Sequence, residues 1–229
     1  MRRALTALGA GVAVTVGLAA TMGVAAAPAG AADEHVRGDV VALKGNSLEV
    51  KSSGGEVRTL RLGGETFVAV AFRADPGSIT QSDFVGAAAV PGDQGTLRAL
   101  EVHVFPPSMR GTGEGHRPWD LRAGSTMTNA TVSSSAAAPA MGRPSGSMTN
   151  ATVASSARVG GGARLLLRYA GGQQTLLVPP GTPVVRLQPG DRSRLTPGAH
   201  VFAVASREAD GSLFARRVYV GADGVRPPM

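Results

Sequence analysis

Four histidines, seven methionines and a surplus of arginine are the side chains through which this chain could do chemistry, and their spacing sorts them. His35, His103, His116 and His200 stand too far apart to form the close histidine pair of a zinc site. His103 lies between Val102 and Val104, which places it on the outer, solvated face of a strand. The alternative is a softer site, since the chain lacks cysteine and gathers Met109, Met127, Met141 and Met148 around His116 and Trp119. Thioethers suit Cu(I), and Met127, Met148 and His116 are the ligands such a site would use. Methionine is also an ordinary filler of irregular gaps, which is the competing reading.

The arginines point elsewhere. Residues 35–105 carry seven basic and eight acidic side chains, whereas residues 148–223 carry nine and four. Arg164, Arg168, Arg216 and Arg217 are therefore candidates for an anion-binding surface, with Tyr169 and Tyr219 as flat neighbours. An anionic envelope polymer, a lipid headgroup or another protein would fit that charge. Nucleic acid fits poorly, since base stacking needs exposed aromatics and this chain has only one Trp, two Tyr and six Phe. For catalysis the sequence names no residue. It holds no Gly-x-Ser-x-Gly turn and no His-Glu metalloprotease pair, and the glycines at 111–115 and 160–162 neither follow a strand nor open a helix. No cofactor is implied, and a non-enzymatic role is expected.

Those side chains must be carried by something, and the chain describes its scaffold twice. Gly95-Thr96-Leu97-Arg98-Ala99, followed by Val102 and Val104, returns 116 positions later as Gly211-Ser212-Leu213-Phe214-Ala215, followed by Val218 and Val220. Thr66 and Val68 return at the same offset as Thr182 and Val184. Between turn signals the apolar residues alternate with a period of two, so both copies consist of short strands. About 70 residues of open sheet bury little, and closing the sheet on itself removes its exposed edges. The expected fold is all-β, with two small barrels in tandem at 35–106 and 148–222 and a tail at 223–229.

Residues 107–147 are rich in Gly, Pro, Ser and Ala and read as a flexible linker. That tract contains a second, shorter repeat. Met127-Thr128-Asn129-Ala130-Thr131-Val132 returns as Met148-Thr149-Asn150-Ala151-Thr152-Val153. The barrel has room for one first strand, and the later copy leaves the shorter loop to close, so 149–154 is expected to be the strand and 127–132 spare. His116-Arg117-Pro118-Trp119-Asp120-Leu121 interrupts the low-complexity run, and its tryptophan is expected to pin the tract to a barrel.

Residues 1–31 open with Arg2-Arg3, continue apolar from Ala4 to Ala27 and end on Ala29-Gly30-Ala31, the three parts of an export signal. The expected location is periplasmic or secreted, with cleavage near Ala31. No later run is long and apolar enough for a second span, which argues against a polytopic membrane protein.

In the first copy the order of motifs is Gly38 to Val41, Gly45 to Val50, Gly54-Gly55, Thr66 to Val68, Gly86 and Gly95 to Val104. It resembles a family of exported bacterial domains of unknown function with a small barrel similar to the OB fold. The resemblance covers both repeats and implies a fold. Its motifs are turns and core positions, so it brings no site residues with it.

Overall fold

Period-two alternation becomes strand almost everywhere that the structure, a computed structural model, describes the chain, which is residues 33–137 and 162–227. Seven strands precede the gap: β1 (Glu34–Lys44), β2 (Ser47–Lys51), β3 (Val57–Arg73), β4 (Phe84–Pro91), β5 (Leu97–Val104), β6 (Gly115–Pro118) and β7 (Thr126–Ala137). Five follow it: β8 (Ala163–Tyr169), β9 (Gly172–Val178), β10 (Val184–Pro189), β11 (His200–Arg207) and β12 (Leu213–Gly221). The helical pieces among the described residues are four 3-10 turns. No described helix is long and apolar enough to cross a membrane.

The first ring runs β1-β2-β3-β12-β11 and returns to β1. All its contacts are antiparallel except β3 with β12, which is parallel. The second runs β7-β8-β9-β5-β4 and returns to β7, again with one parallel contact, Leu97 opposite Leu176 in β5 and β9. Each ring thus takes three meander strands from one half of the chain and a closing hairpin from the other. The tandem barrels expected at 35–106 and 148–222 are corrected accordingly. Residues 84–104 close the ring of the second half, and 200–221 close the ring of the first.

The offset of 116 positions survives in the pairing itself. Val218 faces Val68 as Val102 faces Val184, and Leu213 faces Leu60 as Leu97 faces Leu176. Between the rings, β10 runs antiparallel to the far end of β3, and Leu187 pairs with Ala71, its own equivalent in the first repeat. A pseudo-twofold axis therefore passes through that pair. Flanking pairs exchange places across it, Val185 with Arg73 on one side and Pro189 with Ala69 on the other.

Each ring is packed by its inward residues. Val36, Val40, Leu48, Val50, Leu60 and Leu62 meet Val201, Ala203, Leu213 and Val218 in the first. In the second, Val85, Ala87, Leu97 and Val102 meet Ala130, Val132, Leu165, Leu167 and Leu176. The plugs are exchanged too. Ile79, behind a turn capped by Asp75, enters the second core, and Leu195, behind the equivalent turn capped by Asp191, enters the first. A third cluster lies outside both rings, where Ala69, Ala71, Phe84, Phe105, Val185, Leu187, Phe202, Val204 and Tyr219 press the outer walls together. That contact joins the described residues of both rings, 33–137 and 162–227, into one compact unit.

The tract expected to be a linker is built structure over its described part. Met109 is buried, β6 pairs with β7, and β7 is the first strand of the second ring. The strand seated beside β4 and β8 is thus the earlier copy, 127–132, where the later was expected; residues 149–154 lie outside the described part. Counting only the loop to β8 omitted the β6–β7 hairpin, a short connection that the earlier copy has on its other side.

Candidate functional site

Strand alternation that sends one set of side chains into a ring sends the next set outward, and here the outward sets of five strands converge. β1 contributes His35, β5 His103, β7 Met127 and Asn129, β11 Phe202 and Val204, and β12 Arg217 and Tyr219. The turn after β6 adds Trp119 and Asp120. Together they line a cleft of about 440 Å³ at the seam between the rings.

One wall is aromatic. The Trp119 ring lies 4.4 Å from that of His35, which lies 5.5 Å from Phe202, which in turn stacks on Tyr219 at 5.9 Å. His103 meets Phe105 edge-on at 4.8 Å. Arg37 lies over Phe202, and Arg117 over Trp119. The rim is ionic. Asp120 accepts from Arg37 Nη2 at 2.8 Å and Nη1 at 3.2 Å, and its Oδ2 lies 2.9 Å from His35 Nδ1. Burial alone would raise the Asp120 carboxyl, but the hydrogen bonds from Arg37 and His35 prevail and hold it down to about 2. This pairing fixes the turn that carries Trp119 to the outer face of β1.

The floor is polar and incompletely paired. His103 is 2% exposed, and burial, helped by the positive charge of Arg117, pushes its imidazole down to about 3, so it is neutral. Its Nδ1 has no hydrogen-bond partner. Asn129 donates through Nδ2 to the Thr112 carbonyl at 3.0 Å, while its Oδ1 accepts nothing. The indole N–H of Trp119 is also buried without an acceptor. Beside them Glu101, 7% exposed, has an Oε1 without a donor, and burial pushes its carboxyl up to about 7 against the pull of Arg37. Buried polar atoms without partners are few in folded proteins, and each costs roughly 1–3 kcal/mol.

The pseudo-symmetry marks this floor as special. Gly86 and His103 pair across β4 and β5 where Phe202 and Tyr219 pair across β11 and β12. A Cβ on Gly86 would stand 1.9 Å from His103 Nε2 and 2.7 Å from Asn129 Oδ1, so the imidazole fills the space that a side chain there would need. Glu101 likewise occupies the position of Arg217. Three equivalent positions thus differ in chemistry while their backbone pairing matches.

The residues singled out from sequence distribute differently. His103 is not solvated, because the outer face on which it stands is covered by the other ring. Arg164 and Arg168 are exposed on β8 of the second ring, and Arg216 is exposed on β12 of the first. Arg217 is half-buried in the cleft, 3.9 Å from Asp33. The four arginines thus divide between two rings. Of the soft ligands, Met127 lines the cleft, whereas His116 pairs with Thr128, the next residue along, and so belongs to the opposite face. Met148 lies outside the described residues, among which no group of three or more His, Cys, Asp or Glu could hold a metal. Trp119 packs against the seam as the pinning argument expects. Sequence reasoning missed Asn129 and Glu101, which sit in runs of ordinary strand residues. No family model matches the chain, and no curated protein or solved structure matches it either.

Proposed function

We propose that this protein is an exported, non-enzymatic binding module whose ligand occupies the cleft between two OB-like barrels. The reading of export rests on the basic start, apolar stretch and small-residue exit of residues 1–31. The reading of both rings as OB-like barrels rests on the strand order. In each ring a three-strand meander is followed by one parallel contact and a closing hairpin, at one constant sequence offset.

One observation carries the binding role. His103 Nδ1, the Trp119 indole N–H and Asn129 Oδ1 come from three separate elements, belong to residues lining the same cleft, and have no partner among the described residues. Volume and lining are those of a small-molecule site, mostly apolar with a few converging polar groups. The matching ligand has a flat apolar body for the Trp119–Phe202 wall and carries an acceptor for the indole and a donor for the amide oxygen. A fragment of an envelope polymer, such as a sugar or a headgroup, has this character. Arg217 and Arg117 would favour an anionic edge.

Trp119 is the sole tryptophan, so its emission reports on the site directly. Titration with soluble cell-wall saccharides, glycerol phosphate and phosphorylated headgroups should give a saturable change for one of them, lost in Asn129→Leu. Unchanged emission across that panel at millimolar concentration counts against the reading. A second reading, soft-metal binding, draws on one fact: Met127 and the neutral His103 line the same cleft. Competition for Cu(I) against a chromophoric chelator separates the two, since only the metal reading predicts a transfer lost in Met127→Leu.

A further inference from the structure

The six residues of β7 from Met127 to Val132 are repeated without change at 148–153, and the match continues from Ser134–Ala136 to Ser155–Ala157. Ser133 against Ala154 is the one difference in the run. In the structure the earlier copy is a central strand. It pairs with β4 from Phe84 opposite Thr131 to Ala89 opposite Thr126, and with β8 from Arg168 opposite Thr131 to Ala163 opposite Ala137. Met127, Thr128, Ala130 and Val132 are buried within that slot. We propose that the slot between β4 and β8 accepts either copy, so that the second ring has two interchangeable first strands, 126–137 and 147–158, only one of which is seated at a time.

Every side chain that fills the slot from Met127 to Val132 is supplied identically by the later copy. Of the side-chain hydrogen bonds beyond it, Ser135 Oγ to the Ile79 carbonyl is retained through Ser156. Only the bond from Ser133 Oγ to the Leu166 carbonyl is lost. Connections favour neither copy decisively. Seating the earlier one leaves residues 138–162 between the first and second strands of the ring and keeps the hairpin to β6. Seating the later one leaves only the four residues 159–162, a short connection like the two-residue Gly45-Asn46 turn between β1 and β2 in the first ring, and gives up the β6–β7 turn. Loop closure depends on length only logarithmically, so exchanging a long connection on one side for a long connection on the other changes little. A strand that has a duplicate within reach in its own chain has no unique register.

The test is a pair of matched substitutions read by peptide-resolved amide exchange in the full chain. Ala130 is fully buried opposite Val85, and a carboxylate there is incompatible with the core. In Ala130→Asp, protection should appear at 148–153 and vanish from 127–132, while β8 and β9 keep theirs. In Ala151→Asp, protection should stay at 127–132. The double variant should lose protection throughout β7, β8 and β9. If 148–153 gains no protection in Ala130→Asp, the proposal is overturned, whether the second ring unfolds or accommodates the charge.

Discussion

Gly86 and His103 face each other across β4 and β5, and the imidazole occupies the volume that any side chain on residue 86 would claim. At the equivalent pair in the other ring two aromatic rings, Phe202 and Tyr219, stack instead. The outer wall of one barrel is therefore filled from both strands, and that of the other from one strand only.

Gly86→Ala should destabilise the protein by about 2–4 kcal/mol, because its Cβ meets a ring wedged between Asn129 and Phe105. In a double-mutant cycle with His103→Ala the two losses should fall well short of additive, as measured by denaturant unfolding. Additive losses would show that the clash is relieved elsewhere.

Glu101 gives the stability a specific dependence on pH. Its folded pKa, about 7, lies above the unfolded value of 4.5, so the folded state holds this proton more tightly. The contribution is complete below pH ~4.5 and is lost as pH rises through about 7, a change of up to about 3 kcal/mol. Glu101→Gln should remove this loss and raise the melting temperature at pH 8 more than at pH 4.

His103 acts in the opposite direction. Its folded pKa, about 3, lies below the ordinary imidazole value of 6.5, so the unfolded chain takes up the proton first. Stability from this group is complete above pH ~6.5 and falls as pH drops toward 3. His103→Gln should flatten the acid limb of the stability profile, and an unchanged limb would place the titrating group elsewhere.

Cutting the chain at an engineered protease site within 141–147 should not separate its pieces. Residues 33–137 supply β1 to β7 and residues 162–227 supply β8 to β12, and each ring needs strands from both. The cut protein should elute from gel filtration as one species and come apart only in denaturant. Two species under native conditions would contradict the exchanged pairing.

Much of this architecture is legible in the sequence. Alternation locates the strands, and the offset of 116 identifies equivalents such as Val102 and Val218. What the offset cannot reveal is which hairpin closes which ring, since equivalent hairpins present the same residues to either partner. That choice depends on the continuation of β3 from Phe67 to Arg73, which carries the chain across the axis before β4 begins. The site was hidden for a related reason. Outward positions such as those of His103 and Glu101 normally face water, and only the exchanged topology brings a second wall over them. Asn129 stands in a run of ordinary strand residues, and only the wall brought over it by the second ring leaves its amide oxygen buried.

The exchange of hairpins also separates the order of synthesis from the order of completion. The barrel whose strands are made first begins at Glu34 and cannot shut until β12 arrives, whereas the other has all its staves by Val178. The later-made barrel can therefore finish first, and β1 to β3 must wait for the end of the chain. Joining Glu34 to Ala205 spans most of the molecule, a distant contact of the kind that makes folding slow.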